Sequence, residues 1–478
     1  MLSLSIVVLV LIWSLTATAR AGSPFHVAEE DAKLLVPQLV RKYGYPVEKH
    51  QVRTEDGYLL GMFRIPGGRN GTVPGRRPIL MMHSWFSSCA DWVVIGPGNA
   101  LGYLLADRGY DIWMGNVRGN RYSRRHERLR VKTRAFWDFS LDEIGYYDVP
   151  AMIDYVLNRT NARKLHYVGF SQGTIVGLIA LTSRPQYNEK IVQLQELSPA
   201  IYVYRNPSVI MRTLAFMAKS LAEGYTLFGS FELMSHWTGQ YEFYRMLCPS
   251  PKQLICRMLI YEVSGENAKQ LDAKMLRIFL GHAPAGSSVK QFLHYAQLIN
   301  DGVFRRYDYD DDRANVAAYG SKQVPRYNLS HVTAPVRTYY GRNDNVVNFR
   351  NVKRLERELP NLVSSYLVPD ERFGHADFIL NKNVKKRRPV LLQKIVYCGP
   401  NYYKAETTLL PGAGQNVCRV RKVGEGAAAN ICTKQNNVLF LINAPGTCRV
   451  DSVDAAECRL ILQNDANLEP LESDSSLA

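Results

Sequence analysis

The sequence predicts an α/β protein: a mostly parallel sheet flanked by helices, with a helical cap inserted before its last strands. Three observations carry this. Short apolar strand-like runs alternate with helix-like runs from Pro78 to Leu197, the pattern of a parallel sheet covered on both faces. A G-x-S-x-G pattern, Gly169 to Gly173, lies between one such strand and one such helix. The alternation stops at Pro199, and a helix-like stretch rich in large apolar groups runs to Tyr327 before strands resume at Val336.

In chain order, Glu29 to Tyr43 has apolar residues at Leu34, Leu35, Leu39 and Val40, which fits one amphipathic helix. Gly44 ends it and Pro46 prevents its return. His50–Arg53 and Tyr58–Ile65 flank Asp56-Gly57 and read as a hairpin. Pro78–His83 is an apolar strand, Gly96–Asp107 a helix, Tyr110–Val117 a strand and Asp142–Leu157 a helix with Ile144, Val149, Ile153 and Val156 inward. Leu165–Val168 is the strand before the G-x-S-x-G turn, and Thr174–Leu181 is apolar on nearly every side, as a buried helix is. Ile191–Leu197 is the next strand. Val336–Gly341 and Ser365–Val368 read as strands around a helix at Val347–Leu359.

Between them, residues 200–327 hold half of the 12 methionines, with Phe216, Phe228, Phe231, Trp237, Phe243 and Phe279. Adaptable methionine suits a surface that meets varied apolar partners, so the segment is expected to be a cap over the site. The predicted organisation is residues 22–199 and 328–383 as core, 200–327 as cap, and 384–478 as a basic run followed by a cysteine-bearing extension, partly disordered.

Length and composition bound the class. A chain of 478 residues exceeds one ordinary core. The formal net charge of +16 favours acidic polymers or anionic lipid, but no nucleic-acid-binding signature accompanies it, so nucleic acid is not an expected partner. Residues 2–15 form a short apolar run followed by Ala17, Ala19, Ala21 and Gly22. That reads as a signal peptide ending by residue 21. Three N-x-S/T sequons, Asn70, Asn158 and Asn328, support the secretory route. Of eight cysteines, Cys248 and Cys256 lie close and are expected to pair in an oxidising compartment. The five in the tail, Cys398, Cys418, Cys432, Cys448 and Cys458, leave one that is free, pairs with Cys89 or links chains. No C-x-x-C or H-E-x-x-H occurs, so neither a metal nor a cofactor is expected.

The chemistry is read from the turn. In a strand–turn–helix context G-x-S-x-G presents a serine on strained backbone, here Ser171, with small residues where neighbouring backbone comes close. The Gln172 N–H then lies at a helix N-terminus and can face a developing oxyanion. A serine hydroxyl needs a base, and the base an orienting acid. Asp344 follows the strand Val336–Gly341, and His375 follows the strand ending at Val368. That is the Ser, Asp, His order of this architecture. Asp370, Glu371 and Asp377 are rival acids, and His331 a rival base. The second oxyanion donor is expected on the loop after Pro78–His83, from the Trp85 N–H.

Several ordered stretches carry a resemblance. They are Lys42–Leu60, Leu105–His126, Phe136–Leu157, His166–Thr174, His282–Gln297 and Gly374–Ile379. Together they resemble the acid lipase family, the gastric and lysosomal lipases of the α/β-hydrolase fold, from about residue 29 to residue 380. The resemblance implies ester hydrolysis of neutral lipids (triacylglycerols or steryl esters), a mobile lid within the cap, and a cap disulfide falling on Cys248 and Cys256. Two departures stand out. Ser84 replaces the family's oxyanion-loop glycine, where a Cβ would shift the Trp85 N–H or narrow the acyl pocket. Phe170 replaces the elbow histidine. The tail after Gly399 has no family counterpart.

The expected function is therefore a secreted or lysosomal carboxylic ester hydrolase working at a lipid–water interface, touching the lipid surface through its cap. The alternative is a non-catalytic lipid carrier on the same fold, which Ser84 slightly favours. Oligomeric state is not readable from the sequence.

Overall fold

The structure is a computed structural model. It describes residues 24–69, 71, 77–249 and 253–382, and the strand segments 403–408, 417–422, 428–435, 438–441 and 449–451. The segment expected to be a signal peptide and Asn70 lie outside the described residues, as do the end of the tail and Cys398, Cys448 and Cys458. The chain divides into two units, Met1–Pro389 and Val390–Ala478.

The first unit is built on eight strands: β1 Glu48–Arg53, β2 Leu59–Ile65, β3 Ile79–Met82, β4 Ile112–Met114, β5 Leu165–Phe170, β6 Ile191–Leu197, β7 Val336–Tyr340 and β8 Leu362–Leu367. Their order is β1-β2-β4-β3-β5-β6-β7-β8. β1 and β2 pair antiparallel, as do β2 and β4, and every other pair is parallel. The hairpin forms where expected, with Arg53 opposite Leu59. β5 is buried at all six positions, and the helix after it is buried from Gln172 to Thr182. That explains why neither shows an amphipathic stripe in the sequence.

Four elements differ from the sequence reading. The first helix is two, Pro24–Lys33 and Val36–Lys42. Pro37 lacks an N–H and is tolerated only in a first turn, so the chain breaks and restarts at Leu35. The helix expected from Gly96 begins only at Leu101, because Gly96 and Gly98 both take positive φ. The strand expected over Tyr110–Val117 pairs only at Ile112–Met114. The helix expected over Asp142–Leu157 contains a wide turn at Ile144–Asp148, just before Pro150, whose missing N–H cannot continue an ordinary ladder.

Between β6 and β7 lies the cap. It holds helices Val209–Phe216, Ala218–Leu227, Gln240–Leu247, Leu254–Ser264, Ala273–His282, Val289–Asp301 and Asp312–Tyr319. Cys248 and Cys256 are joined within it, while Cys89 is buried and has no disulfide partner among the described residues. In the second unit, five strands form an antiparallel sheet in chain order, with Cys418 and Cys432 as register partners. The sequence reading named no strands there, since the short β runs are separated by Gly- and Asn-containing links.

Glu196, next to last in β6, is fully buried, and among the described residues neither carboxyl oxygen has a hydrogen-bond partner. Burial alone pushes its pKa well above the usual carboxylate range. The unfolded carboxyl titrates near about 4.3, so stability held below that pH is lost as pH rises towards the folded value. Melting temperatures of the wild type and Glu196→Gln, measured from pH 4 to pH 8, are expected to diverge, with the variant losing less. Parallel curves would show that this carboxyl is not held neutral.

Candidate active site

The tight turn between β5 and the helix Gln172–Ser183 places Ser171 at φ +52 and ψ −111, a conformation that L residues rarely adopt. Holding it costs about 1–3 kcal/mol, so the surroundings must enforce it. A Cβ on Gly173 would lie 2.1 Å from the Met82 carbonyl oxygen at the end of β3. One on Gly169 would lie 2.6 Å from the Gly173 carbonyl carbon. Both glycines are therefore required by close approach of backbone, as the motif implies.

Asp344 and His375 come together as expected. His375 Nδ1 is 2.9 Å from Asp344 Oδ2, and the carboxylate is wholly buried. Asp344 Oδ1 accepts from the Val346 N–H at 2.8 Å and the Val347 N–H at 2.7 Å. With Nδ1 facing the carboxylate, Nε2 is left for proton exchange. Ser171 and His375 line one cavity, and no direct hydrogen bond joins the hydroxyl to the imidazole. The His375 main-chain N–H is tied at 2.7 Å to the Ser264 carbonyl, at the end of a cap helix.

The rivals fall elsewhere. Asp377 accepts from the Gly374 N–H at 2.8 Å and the Asn267 amide at 2.9 Å. Burial raises its pKa to about 6, so it shapes the histidine loop rather than orienting the imidazole. Asp370 caps its own turn through the Arg372 N–H, and Glu371 is exposed. His331 is exposed, with one ring nitrogen against the Thr182 carbonyl.

Among the described residues, neither the Gln172 N–H nor the Trp85 N–H donates to a protein acceptor. Ser84 does not have positive φ, so this position does not need glycine. Its N–H and its hydroxyl both donate to Asp91 Oδ2, at 2.9 and 2.7 Å. His83 Nδ1 donates to the Ser84 carbonyl at 2.7 Å, while Nε2 accepts from the Val117 N–H and the Asn120 amide. Burial lowers the His83 pKa and raises that of Asp91. The Ser84 side chain is thus part of the loop's support, and Ser84 also lines the cavity. Phe170 lies with its ring 5.1 Å from the His375 ring.

The cavity holds about 590 Å³ and is lined almost wholly by apolar groups of the core loops and the cap, among them Phe170, Leu214, Met234, Phe279 and Phe292.

One contact was not legible in the sequence. Ser198, the residue after β6, sits at φ +49 with its N–H on the Tyr339 carbonyl at 2.7 Å. Its hydroxyl donates to Asp344 Oδ2 and lies 2.9 Å from His375 Nδ1. The available signal is indirect: β6 and β7 are neighbours, so the residue past one abuts the loop past the other.

A family model described as a partial alpha/beta-hydrolase lipase region matches residues 36–96, and one for the alpha/beta hydrolase fold matches residues 77–382. The chain belongs to the acid lipase family of the α/β-hydrolase fold. Lipase 1 of Drosophila melanogaster is 40% identical over 359 residues, covering 75% of this chain and 78% of that one. Lipase 3 of the same organism is 42% identical over 346 residues, covering 72% and 88%. Gastric triacylglycerol lipase of Homo sapiens is 33% identical over 357 residues, covering 74% and 88%. Membership in the family supports lipase-type carboxylic ester hydrolysis.

Against this geometry, Ser84→Gly is expected to slow ester hydrolysis, not to speed it. It removes a donor from a buried carboxyl, a loss of about 1–3 kcal/mol, and the melting temperature should fall with the rate. A faster, equally stable variant would show instead that the serine side chain shifts the Trp85 N–H or narrows the pocket.

Proposed function

We propose that the protein hydrolyses neutral lipid esters, triacylglycerols or steryl esters, through an acyl-enzyme on Ser171. The observation that carries this reading is the buried Asp344–His375 pair lining the same apolar cavity as a serine on strained elbow backbone. Ser171 Oγ attacks the ester carbonyl carbon as His375 Nε2 takes its proton. The N–H groups of Gln172 and Trp85 hold the oxyanion. His375 returns the proton to the departing alcohol oxygen, and water, activated by the same imidazole, releases the fatty acid. Asp344 stabilises the imidazolium.

Ser198 supports this pair by donating to the carboxylate oxygen that faces Nδ1. The cavity, with few polar groups, suits an acyl chain rather than a charged substrate.

Contact with a lipid surface is assigned to the cap. Phe216, Leu227 and Phe228 are 86%, 83% and 87% exposed, and Met246, Leu254 and Met258 are exposed as well. Large apolar groups this exposed and this concentrated along one stretch of the chain suit a surface that meets another apolar one. Among the described residues no helix is long and apolar enough to cross a membrane; the contact proposed for the cap is peripheral. Passage through the secretory route, to the exterior or a lysosome, is proposed from residues 1–21, the sequons and the cap disulfide. Asn158 and Asn328 are both exposed and open to glycosylation.

A fluorophosphonate probe is expected to label Ser171 in the secreted protein, located by mass spectrometry, and Ser171→Ala to abolish both labelling and ester hydrolysis. A folded wild type that takes no label would favour a lipid carrier. Ser198→Ala is expected to reduce kcat by about 10-fold with KM unchanged, the scale of one charge-assisted hydrogen bond. A wild-type kcat would remove Ser198 from the machinery.

A further inference from the structure

The two oxyanion donors sit on different supports. The Gln172 N–H is set by the elbow and the first turn of its helix. The Trp85 N–H rides on an irregular loop next to Phe86, which is held at φ +56. Strained loop backbone keeps such a conformation only when something outside the loop enforces it.

That support comes from the cap. The Ala285 N–H donates to the Phe86 carbonyl at 2.7 Å. The Trp85 indole N–H donates to Ser287 Oγ at 3.0 Å, and the Ser287 hydroxyl to Gln291 Oε1 at 2.9 Å. Gln291 Nε2–H in turn donates to Gln172 Oε1. An indole nitrogen only donates. Ser287 must therefore accept at one side and donate at the other, and Gln291 must present its oxygen to Ser287 and its NH₂ to Gln172. The relay has one polarity and joins the residues that carry the two donors. Ser287, Gln291 and Gln172 are all buried, so water does not compete for these bonds. The Trp85 ring is also clamped, 4.1 Å from the Phe86 ring and 4.3 Å from that of Tyr295.

We infer that Ser287 and Gln291 are positioning residues for the oxyanion hole, and that the cap segment around them sets the loop donor while leaving the reacting atoms untouched. This rests on the acyl-enzyme reading above. It also divides the cap by role: the stretch 285–291 belongs to the catalytic frame, whereas the exposed apolar helices face outward.

The test uses the full secreted chain, a soluble short-chain ester and its thionoester, whose sulfur is a poor hydrogen-bond acceptor. Gln291→Met and Ser287→Ala are each expected to lower kcat for the ester by about 10- to 100-fold, the scale of a misplaced oxyanion donor. KM should be unchanged, and the rate on the thionoester much less affected. Equal losses on both substrates, or wild-type rates in folded variants, would overturn the inference. If Gln291→Met does not fold, Ser287→Ala, which removes one hydroxyl, decides. A wild type that is not labelled on Ser171 would instead fault the reading on which the inference rests.

Discussion

The structure depends on one backbone constraint: a serine at φ +52 between β5 and its helix, held there because Gly169 and Gly173 let three pieces of main chain close to contact distance. The Met82 carbonyl at the end of β3 occupies the space a side chain on Gly173 would need. The elbow therefore registers β3, β5 and the buried helix against one another. The loop that leaves β3 at Met82 is the one that carries Ser84 and Trp85, so the same contact fixes Ser171 relative to that loop. Strain of about 1–3 kcal/mol at such a point is tolerable because β5 and the helix after it are buried on all sides and cannot relax around it.

Electrostatics at the site follow from burial. The Asp344 carboxylate has no access to water, and an isolated charge there would be prohibitive. It is met instead by two main-chain N–H groups, the Ser198 hydroxyl and the His375 imidazole. Asp91, behind the oxyanion loop, is surrounded by the Ser84 N–H and the hydroxyls of Ser84 and Ser87. Both carboxyls serve as anchors on which loops are hung. The cap adds its own supports, at the Ser264 carbonyl for the histidine loop and at Ala285 and Ser287 for the oxyanion loop. It is thus both a cover for the cavity and a scaffold for two of the loops that line it.

Much of this was legible in the chain. The core strands announced themselves as short apolar runs, and the buried helix after Ser171 by lacking any polar face. Asp344 and His375 could be picked from their rivals because each follows a strand of the sheet in the required order. Boundaries failed where glycine or proline intervened, at Pro37, Gly96, Gly98 and Pro150, since these residues act on hydrogen-bond ladders and not on hydrophobic pattern. The partner of the Ser84 hydroxyl was not legible. A glycine replaced by serine reads as an intrusion, until the hydroxyl is seen to have a buried carboxyl waiting for it.

By itself the sequence determined the fold class and the family, and singled out Ser171, Asp344 and His375 as the candidate site. All of these reside in local pattern and chain order, which are one-dimensional. Only the tertiary structure decided that Ser198 touches both Asp344 and His375, and that Ser287 and Gln291 link Trp85 to Gln172. Those contacts join residues far apart in the chain through side-chain hydrogen bonds. Nothing in the spacing of a serine or a glutamine along the polypeptide records which buried partner it will meet.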